Sequence, residues 1–369
     1  MQADTARVRE TPLGPLHQQA GARMGVWFGC ALANDFGDWQ REYWFAHKSV
    51  ALIDKNYRAY LSFTGPDRVR YLNAILTNNI KDLAPSHGTV SLLLNPQGHI
   101  LAEIETYGLP DSLFCVSYAM IREALIQTLD KYIIMDDVTL TDETPRFGTL
   151  ALEGPQAARL AGELTGVDLT AFAELARKDA TVASIPCTVI RRSPGEFVGA
   201  EFLTARQHLE SLWQILEDKA VAAGGGPAGY TALSALRLEQ GVPWFSYDFG
   251  EKQIPHEAGL EHSHISYTKG CYTGQEIVER VRSRGQVNRR RVSLVFGRSV
   301  PAPGEPLVAE GKEAGYVTRA AFSPRLSRAI GMGYVRRESN SPGTVLKWQE
   351  GTATVAKFPE ESNGAVANR

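Results

Sequence analysis

Cysteine is scarce, and what there is does not pair. Cys30, Cys115, Cys187 and Cys271 are the only four in 369 residues, and no two form a C-x-x-C unit. That spacing argues against a disulfide framework or a zinc ribbon and fits a reducing compartment. Long apolar runs are missing as well. No stretch nears the roughly 18 apolar residues that a membrane span needs, and residues 1–10 are polar, so a cytoplasmic protein with no membrane partner is expected. Neither sign of charge prevails: 39 basic against 41 acidic residues leave a formal net charge of −2. General attraction to nucleic acid or anionic lipid is thereby absent, and any anion site must come from a local cluster. With 43% apolar and 22% charged residues the chain is globular, and its length calls for two or three packed domains.

One local pattern is present twice. Leu61, Ser62, Phe63 and Thr64 run into Gly65-Pro66, and Leu150, Ala151, Leu152 and Glu153 run into Gly154-Pro155; helical spacing of apolar residues follows each. Each unit predicts a strand, a glycine turn and a helix that begins near the proline, whose missing N–H costs nothing in the first turn. Two such units suggest a duplicated α+β module. A β-hairpin is predicted over residues 90–107 with its turn at Asn95-Pro96-Gln97-Gly98, followed by a strand at 113–117. Helices are expected over 205–223, ahead of Gly224-Gly225-Gly226-Pro227, and over 232–239. From Arg291 onward short apolar runs alternate with Gly and Pro turns, the pattern of a small antiparallel barrel or sandwich. A boundary near 285–290 follows, and both chain ends are expected to fray.

The segment Lys269-Gly270-Cys271-Tyr272-Thr273-Gly274-Gln275-Glu276 carries the most chemical information. Thr273 and Glu276 are spaced as a capping box, which predicts a helix start there with Cys271 just ahead of it. The helix dipole and Lys269 would both favour a thiolate, so Cys271 is a candidate nucleophile or ligand and Lys269 its electrostatic partner. The bland alternative is a small buried apolar residue. Tyr272 and Gly274 lie where backbone can approach a ligand closely. Downstream, Arg280, Arg282, Arg284, Arg289, Arg290 and Arg291 form the densest basic run, fit for a phosphate, an RNA backbone or a carboxylate tail, or equally for a solvated helix face. His262 and His264 offer too few ligands, at no recognised spacing, for a metal site, and none is expected.

On this octapeptide the chain resembles the YgfZ-like branch of the glycine-cleavage T-protein superfamily, whose signature is K-G-C-Y-x-G-Q-E. The wider resemblance covers residues 11–358 and includes Leu76-Thr77-Asn78-Asn79, the run from Ala235 through Gly241, and Gly331-Met332-Gly333-Tyr334-Val335. It implies an α+β fold: a ring of duplicated ferredoxin-like subdomains forming a folate-binding core over residues 11–288, with an antiparallel β-barrel over residues 289–359. Tetrahydrofolate or another reduced folate is the implied cofactor. The T-protein aspartate pair is replaced here by Leu101 and Ala102, which puts aminomethyl transfer in doubt and leaves Glu103 or Glu105 as substitutes, provided they point the right way. By the same resemblance Glu201, with Glu196 behind it, recognises the pterin, and Arg237 belongs to the folate site.

Three functions follow from this reading. The first is a folate-binding protein that assists iron–sulfur cluster assembly or repair through Cys271, with client enzymes or assembly factors as partners. The second is a folate-dependent aminomethyltransferase. The third, an RNA-associated module, rests on the arginine run alone.

Overall fold

The computed structural model describes residues 8–357; the expected fraying of residues 1–7 and of the last residues, like the barrel call beyond residue 357, falls outside them. Two sheets and a barrel organise the chain. The first sheet has strand order Gly88–Leu94, Ile100–Gly108, Leu113–Tyr118, Arg58–Thr64, Thr139–Asp142, with every pairing antiparallel. The second runs Arg177–Val182, Ile185–Arg192, Gly199–Ala205, Phe147–Glu153, Ala51–Asp54, Gly226–Pro227. Six further strands between Arg289 and Ala356 close into a barrel, Arg289–Val295 pairing with both Arg328–Arg336 and Gly351–Ala356.

The repeated strand–turn–helix units are an interior strand and the helix that follows it in each sheet: Arg58–Thr64 leads to the helix Arg68–Ile75, and Phe147–Glu153 leads to Ala157–Thr165. Both helices start two residues after the proline, which sits in the turn, so the expected start was early by that much. The glycines are required there. Gly65 and Gly154 have φ of 96° and 128°, and a Cβ on either would lie 2.2 Å from the Asp137 carbonyl oxygen or 2.6 Å from that of Ser49.

Alternation along the strands divides buried from lining faces. In Ile100–Gly108, the side chains of Ile100, Ala102 and Ile104 enter the core beneath the first sheet, with Leu72, Leu92 and Leu125. Glu103 and Glu105 take the other face. Under the second sheet Leu150, Leu152, Val189 and Phe202 pack on Leu212, Trp213 and Leu216 of the helix Leu209–Ala222. The helix Tyr230–Glu239 is buried along its whole length between the second sheet and the barrel. Its Glu239 accepts hydrogen bonds from Tyr43 at 2.7 Å and Arg325 at 3.1 Å and from Ser323, tying barrel to core.

Candidate functional site

A cavity of about 370 Å³ opens where the two sheets, the buried helix and the barrel meet. That is the usual scale of a small-molecule site. Tyr57, Tyr118, Tyr230 and Trp244 give it flat aromatic walls, while Glu103, Glu105, Arg58, Arg192 and Arg237 supply charge.

The charged groups along its wall form one continuous ladder of alternating sign. Arg192 donates to Glu105 at 2.7 Å; Glu105 lies 3.6 Å from Arg58; Arg58 meets Glu201 through two contacts of 2.6 and 3.0 Å. Lys55 then donates to Glu201 at 2.7 Å and stands 3.6 Å from Glu153, which takes both 2.6 Å hydrogen bonds from Arg237. Four cations against three carboxylates leave one positive charge. Burial pushes the Glu201 carboxyl up, but Arg58, Lys55 and Arg192 outweigh it and hold the group well below the usual carboxylate range. Glu153 is likewise lowered, its desolvation overcome by Arg237 and Lys55.

Glu201 therefore stands behind the wall rather than in it. It is fully buried, absent from the cavity lining, and both its oxygens are engaged by Lys55 and Arg58. The expected pterin contact is replaced by a framing role: Glu201 fixes the two cations that do face the cavity. Arg237 lines the cavity and belongs to the ladder. Glu196 is exposed and outside the lining.

A second group of polar residues converges on Glu103. One carboxylate oxygen lies 3.0 Å from His264 Nε2 and the other accepts from the Tyr118 hydroxyl at 2.7 Å; His264 Nδ1 lies 2.7 Å from Ser263 Oγ. All four residues line the cavity. Desolvation raises the Glu103 carboxyl, but hydrogen bonding and charge from His264, the Tyr118 hydroxyl and Arg192 bring it below its ordinary value, so it is a carboxylate at neutral pH. Leu101, two residues away, is the extra residue at a shift in strand register; it packs on the core of the first sheet and does not line the cavity.

The octapeptide lies elsewhere. Cys271 is the one exposed cysteine among the described residues, and it does not line the central cavity. Lys269 turns away from it: its ammonium donates to the carbonyls of Asn73 and Leu76 at the end of the helix Arg68–Ile75, and to that of Asn78 at 3.1 Å, and sits over the Tyr272 ring. Burial lowers this amine to about 8. Tyr272 is buried in the core of the first sheet, outside the cavity lining. Gly274, with φ of 81°, is itself the N-cap of the helix Gln275–Arg284, and no side chain caps that end, so the predicted capping box does not form. The glycine is needed because a Cβ there would lie 2.7 Å from the Asn95 carbonyl oxygen of the hairpin turn. Gly274 thus seats the helix on the hairpin, while Lys269 and Tyr272 anchor the segment to the first sheet and the helix Arg68–Ile75.

The arginine run is largely spent on local pairs. Arg289 meets Glu257 at 3.1 Å, Arg290 meets Glu261 at 3.0 Å, Arg291 donates to the Ala258 carbonyl at 2.8 Å, and Arg282 stacks on Tyr267. No group of three or more metal-ligating side chains occurs among the described residues. No helix there is long and apolar enough to cross a membrane. Reading the sequence missed Lys55, Arg58, Glu153, Arg192 and Tyr118. The one local signal was a charged Lys55-Asn56-Tyr57-Arg58 turn between two apolar strands.

A two-sheet core closed by a barrel around an aromatic, charge-laddered cavity defines a class of small-molecule-binding proteins, and comparison gives the family. Residues 13–265 match the GCVT N-terminal domain and residues 289–357 match the glycine cleavage T-protein C-terminal barrel domain, so the chain belongs to the glycine-cleavage T-protein family. It is similar to the aminomethyltransferases of Streptomyces coelicolor (29% identity, 92% of each chain) and Streptomyces avermitilis (28%, 91% of each). Its fold is that of glycine cleavage system aminomethyltransferase T from Bartonella henselae, with a TM-score of 0.85 at 22% identity over 95% of this chain and 98% of that one.

Proposed function

We propose that the chain is a folate-dependent transferase that moves a one-carbon unit from an amine donor in the central cavity, as the name aminomethyltransferase implies for its relatives. Tetrahydrofolate is the substrate or cofactor of this family. The residues present fit such a ligand. Tyr57, Tyr230 and Trp244 offer aromatic faces to a flat ring, Glu103 offers an acceptor to ring N–H groups, and Arg192, about a quarter exposed, can meet the carboxylates of the tail. When bound, the folate would supply the nitrogens that accept the carbon.

The observation that carries this reading is Glu103. Leu101 and Ala102 cannot handle a proton, but the ionised carboxylate that follows them on the strand and lines the cavity can take one from a nitrogen there. Glu105 is the weaker substitute, since two guanidiniums, Arg192 at 2.7 Å and Arg58 at 3.6 Å, pin it into the ladder beside the Tyr107 hydroxyl at 2.9 Å. The test is formation of methylenetetrahydrofolate by the purified protein from an aminomethyl-lipoyl carrier. Wild-type turnover is expected, with Glu103→Gln losing about 10²–10⁴ of it while keeping folate affinity. Full activity in the glutamine variant would refute the assignment.

Exposed Cys271 favours a second reading, the YgfZ-like role in iron–sulfur cluster assembly or repair. Tight folate binding without turnover, together with loss of iron–sulfur enzyme rescue in Cys271→Ala, would favour that reading over the first.

A further inference from the structure

We infer that His264 and Ser263 form a proton relay that connects Glu103, inside the cavity, to solvent. The inference rests on the transferase reading above and extends it to residues that the resemblance does not assign. Its basis is an unbroken line of contacts: Glu103 Oε1 to His264 Nε2 at 3.0 Å, and His264 Nδ1 to Ser263 Oγ at 2.7 Å. The inner end is part-buried. The outer end, Ser263, is exposed and still borders the cavity. The His264 main chain is held on both sides, since its carbonyl accepts from Thr77 Oγ1 at 2.6 Å and its backbone N–H donates to the Leu260 carbonyl at 3.0 Å. Tyr118 occupies the other oxygen of Glu103, so the oxygen facing His264 is the one left to exchange a proton along this line.

The chemistry of the transfer suits such a line because it needs proton movements in opposite senses. With the ring proton on Nε2, His264 donates to Glu103 and accepts from the Ser263 hydroxyl. When the donor's carbon–nitrogen bond breaks and its electron pair leaves with the amine, the Glu103 carboxylate relays a proton from His264 to that nitrogen. The Nε2 proton passes to Glu103, the Ser263 proton to Nδ1, and water restores the hydroxyl. When the new carbon–nitrogen bond forms, Glu103 takes the proton lost by the accepting nitrogen. It returns this proton to Nε2 while Nδ1 discharges through Ser263 to water. These two movements cancel, so the ring regains its first tautomer without a flip; when the carbon's bond to the carrier sulfur breaks and the second folate nitrogen closes the methylene bridge, the proton that nitrogen loses goes to the departing thiolate.

The test pairs turnover with a signal from the ligand-free protein. His264→Gln keeps an N–H for Glu103 but cannot carry a proton, so kcat is expected to fall about 100-fold at unchanged KM for the folate, with partial recovery in added imidazole. Ser263→Ala, where water can stand in for the hydroxyl, is expected to lose less than about fivefold. In the ligand-free protein the Nε2 proton is expected as a downfield, slowly exchanging imidazole N–H resonance that disappears in His264→Gln and in Glu103→Ala. Wild-type kcat in His264→Gln overturns the relay. If the wild-type protein binds folate without turnover, the transferase reading fails and the relay is judged on the resonance alone: its absence from wild type, or its survival in Glu103→Ala, overturns it.

Discussion

Replacing Glu201 by glutamine removes the charge at the centre of the ladder and leaves Lys55 and Arg58, both nine-tenths buried, facing an amide. Glutamine would keep one acceptor but point N–H donors at two cations. Breaking a buried pair by removing one partner costs about 3–5 kcal/mol, because the surviving charge stays out of water. Urea denaturation of the ligand-free protein should therefore show a midpoint lower by on the order of 1 M or more. The pH dependence has a definite sign. The carboxyl of Glu201 is depressed in the folded chain, so its contribution is present above the unfolded value of about 4.3 and fades as pH falls below it. The gap between wild type and variant should accordingly be widest near neutrality and narrow in acid. A variant within about 0.5 kcal/mol of wild type that nevertheless loses folate affinity would refute the framing role and restore Glu201 as a direct ligand contact.

Two further outcomes are expected. Gly274→Ala combines a left-handed φ with a close contact to the hairpin and should cost about 2–4 kcal/mol, whereas Gly285→Ala, with φ of 68° and open space around it, should cost only about 1–2; equal losses in thermal or urea unfolding would remove the contact from the explanation. Lys269→Met strips the helix Arg68–Ile75 of its terminal donor, so hydrogen exchange at residues 73–78 and thiol labelling of Cys271 should both accelerate. Because the folded amine is lowered to about 8, the stability of wild type relative to this variant should rise between about pH 8 and the unfolded lysine value near 10.4, and a fall across that window would contradict the burial of the amine.

The elements that the sequence disclosed are those set by local spacing. The two Gly-Pro units, the hairpin at Asn95–Gly98 and the short strands after Arg289 each depend on residues within a few positions of one another, and all are present. The same locality misled at Thr273 and Glu276, whose separation suits a capping box, because left-handed Gly274 starts the helix one residue later. Lys269 could not be placed from sequence, since its acceptors lie more than 190 residues upstream. The ladder was hidden for the same reason. Arg58 and Glu201 are 143 residues apart and Arg237 and Glu153 are 84 apart, so only the folded sheets bring them into register. Glu103 was partly legible as one of the two carboxylates that follow Leu101 and Ala102 on the strand, although the register shift at Leu101 defeats simple alternation there. Its partner His264, 161 residues away, was not.

The ladder crosses from one sheet to the other at Arg192–Glu105 and again at Arg58–Glu201, which makes it a clasp as well as a wall. Swinging the two halves apart would strand charged groups in a poorly solvated seam, so ligand traffic cannot depend on the body of the protein gaping open. Exchange is then expected past the lining residues that reach solvent, such as exposed Ser263, with the walls held still. Affinity would then be altered by substitutions at that edge, leaving the architecture behind it unchanged.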